Sequence, residues 1–138
     1  MGAWGTGVFD NDAALDWFDA LEQRGADAVL VALQTIPEEA DTIEVDQANE
    51  ALAAAEIVAA CRARASSNLP GEATDWINAH ETEIGPELLP LAIDAVTRIR
   101  AESELKDLWE EGDSAAEWLA VIDDLLGRLR EGGSGESQ

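Results

Sequence analysis

The sequence predicts an all-α fold, a single compact bundle of five to six helices with an ordered N-terminal loop rich in glycine and tryptophan. Apolar residues recur at steps of three and four through most of the chain, which is the spacing of one face of an α-helix. Capping residues, glycines and prolines separate these stretches from one another. Only one stretch resembles a strand, and a lone strand has no partner to pair with.

Length, composition and charge limit the classes of function. The 138 residues, 46% of them hydrophobic, are enough for one domain with its own core. We place this helical domain at 1–131 and a flexible tail at 132–138, where glycine and serine predominate. Thirty acidic and eight basic residues give a net charge of −22, which repels phosphate and excludes nucleic acid and anionic membranes as partners.

The first two helices are predicted on either side of Gly25, which ends the first of them. An Asp-Asn-Asp run at 10–12 offers N-cap side chains for a helix over 13–24. The next stretch, 26–35, contains a Val-Leu-Val run that a buried strand could also show. Because no second strand is available, we predict a helix that ends before Pro37.

The longest helix is predicted over 42–66, and its apolar stripe is dense with alanine. Small side chains let neighbouring helices approach closely, so we expect this helix to be central. A short helix follows over 72–81. A further helix over 86–104 starts at its first proline or at Pro90, since proline suits a first turn. Residues 105–109 either extend that helix or form a separate piece.

The last helix begins at a capping box, in which Ser114 and Glu117 satisfy each other's backbone N–H groups. Its apolar seam is spaced for one helix face and consists of Trp118, Ile122, Leu125 and Leu129. Arg128 and Arg130 fall in the predicted last turn, where the helix dipole favours positive charge.

Residues 4–12, with the sequence Trp-Gly-Thr-Gly-Val-Phe-Asp-Asn-Asp, form the most distinctive stretch of the chain. Trp4 and Phe9 beside Gly5 and Gly7 indicate a loop that folds back onto the bundle and is anchored by two rings. The Gly-Thr-Gly run could also cradle a phosphate. The lysine of a Walker loop is missing, however, and no strand precedes the run, so we interpret it as a structural anchor.

Four early carboxylates, those of Asp10, Asp12, Asp16 and Asp19, invite comparison with a calcium or magnesium site. Their spacing does not fit an EF-hand, because no glycine or glutamate follows at the required offsets. We interpret them as helix caps and a solvated helix face, and we predict no metal site.

His80 and Cys61, each the only residue of its type, carry no predicted chemistry. No spacing unites them with metal ligands or as a nucleophile and its base, so we predict a surface or helix-end histidine and a core cysteine. We therefore predict no catalytic residue and no cofactor. A lone cysteine cannot form an internal disulfide, which indicates a reducing cytoplasm.

Glu56 is the most informative acidic residue, because apolar residues surround it. Its helix neighbours one turn away are Leu52, Ala53, Ala59 and Ala60. Such a carboxylate either points outward between apolar flanks or is buried and must be paired. A buried Glu56 could bind an arginine or accept hydrogen bonds from the glycine loop. A catalytic role remains a third interpretation, although the sequence identifies no partner base or nucleophile.

The opening stretch 4–17 resembles the start of small bacterial proteins in domain-of-unknown-function family 4259. Residues 53–60 resemble the alanine-rich middle of that family, and 105–118 together with 125–129 resemble its C-terminal part. The resemblance covers about 3–130 and implies no activity, substrate or cofactor. The residues assigned to the family-like structural motif are Trp4, Gly5, Gly7, Phe9, Asp10, Asn11, Asp12, Asp16, Trp17 and Glu56.

Two hypotheses of function follow from the sequence. The first is a non-enzymatic protein–protein interaction module, of the immunity or regulatory kind, whose acidic surface suits a basic partner protein. The second is an enzyme with a carboxylate-centred site near Glu56 and the N-terminal loop. The lack of a recognisable nucleophile, metal spacing or cofactor loop favours the first hypothesis.

The large negative charge predicts a response to salt. A net charge of −22 destabilises the compact state through self-repulsion, and added ions screen that repulsion. We therefore expect the Tm to rise when salt is added, as measured by thermal unfolding at low and high sodium chloride. A Tm that stays flat or falls over this range would contradict the expectation.

Overall fold

The computed structural model describes residues 12–36, 43–62, 71–101, 103–112 and 115–134. This part of the chain is helical and contains no strand, which confirms the predicted all-α fold. The helices are α1 (Asp12–Arg24), α2 (Ala26–Gln34), α3 (Val45–Arg62), α4 (Gly71–His80), α5 (Leu88–Ala101), α6 (Glu104–Glu110) and α7 (Ala115–Ser134), with a 3-10 turn at Glu81–Glu83 after α4.

The prediction of five to six helices was wrong, because the described part of the chain has seven α-helices. The stretch after α5 forms the separate helix α6, and Ser103 explains the separation. Its backbone is extended, with φ −161° and ψ 159°, so the helix cannot continue through it. The Ser103 hydroxyl accepts a hydrogen bond from the backbone N–H of Lys106 at 3.0 Å and donates one to the carbonyl of Ile99 at 2.9 Å. One side chain thus caps both helix ends.

The Val-Leu-Val stretch is helical and forms α2. Gly25 makes the sharp turn between α1 and α2, and its φ of +62° is a conformation that glycine adopts without strain. The Trp17 indole N–H donates to the carbonyl of Ala28 across this turn at 3.4 Å. The two helices therefore lie side by side.

Helix α3 is the centre of the bundle, as its alanine content predicted. It packs against α1, α2, α5 and α7, and it also touches α4 and α6. Eleven consecutive or nearly consecutive residues from Ala48 to Ala59 are buried, which leaves no polar face over the middle of the helix. The rest of the core includes Trp17, Trp76 and Trp118, which are all buried.

Helix α5 begins at Leu88, between the two prolines at which its start was predicted, so neither predicted start is correct. Pro90 is the third residue of this helix, within the first turn, where a backbone N–H has no partner in the helix. The first proline of this region, Pro86, lies in the turn before the helix, and its carbonyl accepts a hydrogen bond from the N–H of Leu89.

The structure describes the C-terminal part of the chain to residue 134 but not the first eleven residues. The glycine- and tryptophan-rich segment, including Trp4, Gly5, Gly7 and Phe9, lies outside the described residues. Helix α7 continues to Ser134, so it includes the first three residues of the segment predicted as a tail. Within the described ranges, no helix is both long and apolar enough to cross a bilayer.

Candidate functional site

Glu56 is buried in the middle of α3, with only 2% of its surface exposed. The alanines on either side of it are also buried, so the helix presents this carboxylate to the interior of the bundle. A buried carboxylate is costly unless its charge and its hydrogen-bonding oxygens are satisfied. Its partner therefore decides what Glu56 can do.

Arg128 of α7 satisfies both oxygens of Glu56. Its two terminal nitrogens donate to the carboxylate at 2.9 Å (Nη1 to Oε1) and 2.8 Å (Nη2 to Oε2), which is a bidentate ion pair. The Nε–H of Arg128 donates to Asp124 of the same helix at 2.8 Å. Asp124 is largely exposed, whereas the side chains of the pair are 2% and 3% exposed.

The environment keeps Arg128 charged. Burial alone lowers the pKa of its guanidinium, but the hydrogen bonds and negative charges of Glu56 and Asp124 outweigh burial and raise the pKa above its ordinary value. With both oxygens of Glu56 engaged and no solvent access, the pair links α3 to α7 and offers no free carboxylate for proton transfer.

The sequence predicted that a buried Glu56 could bind an arginine, but it did not identify Arg128 as that arginine. It placed Arg128 in the last turn of the final helix, which was wrong, because α7 continues to Ser134 and Arg128 lies in its interior. The sequence did contain a signal for the burial of Arg128. This residue lies between Leu125 and Leu129, which belong to the predicted apolar seam and are buried in the core.

The other residues of the sequence motif are only partly described. Asp10 and Asn11 lie outside the described residues with the rest of the N-terminal segment, while Asp12 is the first residue of α1. Trp17 is buried in the core, and Asp16 beside it is exposed. Glu56 lies on α3 rather than beside these residues in sequence, and its described partner, Arg128, belongs to α7.

A groove lies between α1 and α2 in the described part of the chain, and Glu50 of α3 contributes to its lining. Its volume is about 270 Å³. Five apolar residues line it, namely Trp17, Ala20, Ala28, Val31 and Ala32. Four polar residues complete the lining, namely Asp16, Arg24, Thr35 and Glu50. We refer to these nine residues as the α1–α2 groove.

Charge is unevenly distributed in the α1–α2 groove. Burial raises the pKa of Glu50, and the nearby carboxylates of Asp46 and Asp16 raise it further. Arg24 is two turns of α1 away from Asp16. Val31 is 53% exposed, the largest exposure among the large hydrophobic residues of the described part.

His80 ends α4 and stacks on Trp76. The two ring centroids are 4.6 Å apart with an interplanar angle of 18°, and His80 Nδ1 lies 3.0 Å from the carbonyl oxygen of Trp76. Cys61 is half-buried near the end of α3. A search of the described ranges finds no group of three or more histidine, cysteine, aspartate or glutamate residues placed to hold a metal ion.

Comparison with known proteins identifies a family. A family model described as Domain of unknown function (DUF4259) matches residues 2–121 of the 138. No curated protein and no solved structure matches the chain.

The buried pair predicts a large loss of stability when only one partner is changed. Glu56→Gln leaves Arg128 buried without its main counter-charge, so we expect the free energy of unfolding to fall by about 3–5 kcal/mol. The measurement is urea denaturation. Asp123→Asn is the matched control, because it breaks the pair with Arg100, whose side chains are 42% and 54% exposed. That control should lose less than about 1 kcal/mol.

A double variant separates an unpaired charge from lost packing. Glu56→Leu with Arg128→Met replaces both charges by apolar groups, and we expect it to be more stable than Glu56→Gln. If Glu56→Gln does not fold and the double variant does, the unpaired charge of Arg128 is the cause of the lost stability. A loss below about 0.5 kcal/mol for Glu56→Gln would show that the pair contributes no more than a surface contact.

Replacing Glu50 is expected to increase stability, which is the opposite of the effect expected for Glu56→Gln. Because the pKa of Glu50 is raised from 4.5 by folding, the folded state holds its proton more tightly than the unfolded chain, and this residue costs stability above the raised pKa. We expect Glu50→Gln to raise the Tm at neutral pH by about 1–2 °C. The difference should shrink as the pH falls through the raised pKa and should be largely gone below 4.5. Glu72→Gln, at an exposed site on α4, controls for general self-repulsion. An equal rise in both variants would contradict the specific effect.

Proposed function

We propose that this chain, which belongs to the DUF4259 family, is a non-enzymatic interaction module that binds a basic protein partner through the α1–α2 groove. The observation that carries the proposal is the combination of an apolar groove wall, a half-exposed Val31 and carboxylates at the rim. Apolar surface bordered by polar groups is typical of protein interfaces.

The overall charge supports a basic partner. A net charge of −22 produces a negative field that attracts positively charged proteins and speeds their encounter. In the groove, burial and the nearby carboxylates of Asp46 and Asp16 raise the pKa of Glu50, so its ionisation costs free energy. An opposite charge from a partner would offset that cost.

The alternative, an enzyme with a site centred on Glu56, has no specific observation in its favour. Glu56 is 2% exposed, and Arg128 occupies both of its oxygens. The N-terminal loop that this alternative requires lies outside the described residues. The proposal therefore assigns Glu56 a structural role and places binding at the groove.

The cellular setting is part of the same proposal. An immunity or regulatory partner in a bacterial cytoplasm suits an acidic chain whose single cysteine, Cys61, has no second cysteine to pair with. Nucleic acid remains disfavoured as a partner because of the charge.

Site-specific photo-crosslinking tests the proposal. A photoreactive amino acid replaces Val31 in one variant and Leu91 of α5, which is 37% exposed, in a matched control. Both variants are expressed in the cells in which the chain occurs naturally. We expect a basic protein to crosslink at position 31 and not at 91. The same protein, once purified, should bind the wild-type chain more weakly as salt increases.

A second pair of variants checks that the groove is responsible. Val31→Asp keeps the overall attraction but places a charge in the apolar contact, so we expect the affinity for the purified partner to fall at least about tenfold. Leu91→Asp should leave the affinity unchanged. Equal crosslinking at both positions, or crosslinks at position 31 only to residues of the same chain, would contradict the proposal.

A further inference from the structure

The α1–α2 groove has two ends of opposite charge. Asp16 and Arg24 line it on the same helix, eight residues apart, which corresponds to about 12 Å along an α-helix. Glu50 of α3 lies on the Asp16 side, because the Asp16 carboxylate contributes to its raised pKa. The groove is therefore acidic at one end and basic at the other.

The charge of Glu50 is not met by a partner within the described ranges. No hydrogen bond or ion pair there reaches the Glu50 carboxylate, whereas Arg128 meets Glu56 and Arg100 meets Asp123. Glu50 is partly withdrawn from water and lies close to two other carboxylates. A cation at this end would relieve both costs.

The middle of the groove suits an aliphatic stem. Ala20 lies one turn of α1 from Asp16 and one turn from Arg24, so it lies between the two charged residues, and Val31 of α2 also lines the groove. Lysine and arginine bury their methylene groups along such surfaces while the charged head reaches a carboxylate. A neutral apolar side chain would fill the middle of the groove but would leave Glu50 unpaired.

We infer that the α1–α2 groove receives a lysine or arginine side chain of the partner protein, with its charged head at Glu50 and Asp16 and its stem along Val31 and Ala20. This inference rests on the proposed function and deepens it. Arg24 at the far end repels a second cation, so the inserted side chain has one preferred direction.

A small-molecule probe tests the inference on the full chain. n-Butylguanidinium carries the head and stem of an arginine, and n-butylurea is a nearly isosteric neutral control. The readout is the NMR signal of the Trp17 indole N–H, identified by its loss in Trp17→Phe, because Trp17 lines the groove. We expect saturable binding of n-butylguanidinium with a Kd on the order of 1 mM, and no saturation with n-butylurea. n-Butylammonium, measured in parallel, distinguishes lysine from arginine as the preferred head.

Three variants locate the cation. Glu50→Gln should weaken n-butylguanidinium binding about tenfold, since a hydrogen-bonded charge pair is lost. Glu72→Gln removes the same charge from an exposed position on α4 and should have no effect. Arg24→Gln should leave binding unchanged or strengthen it. Equal weakening by Glu50→Gln and Glu72→Gln, or equal binding of both butyl probes, would overturn the inference.

The two proposals can fail separately. If a basic partner crosslinks at position 31 but binds Glu50→Gln as tightly as wild type, the cation site is wrong and the proposed function stands. If n-butylguanidinium binds in a Glu50-dependent manner but no protein crosslinks at position 31, the proposed function is wrong.

Discussion

The ion pair between Glu56 and Arg128 is the constraint on which the packing of this bundle depends. The two residues are 72 positions apart in sequence and belong to α3 and α7, and neither side chain reaches solvent. Two charges in the core are tolerated only if they meet in good geometry, because each alone costs several kcal/mol. A bidentate contact permits one axial position of α7 against α3.

The high alanine content of α3 is the second feature on which the packing of the bundle depends. Helix α3 is buried over its middle turns because small side chains let four helices approach it. The same residue type lines the α1–α2 groove, where Ala20, Ala28 and Ala32 leave space that larger side chains would fill. Close packing around α3 and an open groove beside it thus have a common origin in the sequence.

Much of the fold could be predicted from local patterns. The stripes of α1 and α5, the glycine turn at Gly25 and the alanine-rich centre all follow from the spacing and type of neighbouring residues. The break between α5 and α6 could not, because Ser103 is a helix cap only in the extended conformation that the structure shows. Local sequence offers both a continuous helix and an interrupted one at this point.

The candidate sites show a sharper limit. The apolar neighbours of Glu56 indicated that it is either buried or flanked by apolar surface, but no local pattern could identify Arg128 from across the bundle. The groove depends on how α1, α2 and α3 pack. Its lining residues recur at helical spacing within α1 and within α2, but no single stretch shows that these two helix faces meet. The local sequence therefore indicated that Glu56 needs a partner if it is buried, but it identified neither Arg128 nor the lining of the groove.

The complete burial of the middle of α3 also affects how quickly its backbone amide hydrogens exchange with water. Helix α3 is covered by several neighbouring helices over its middle turns, so we expect its central amide hydrogens to exchange slowly with water. Helix α6 is short and has one buried residue, Leu105, so we expect its amide hydrogens to exchange faster. Among the described helices, we expect the slowest exchange in the helix that holds Glu56.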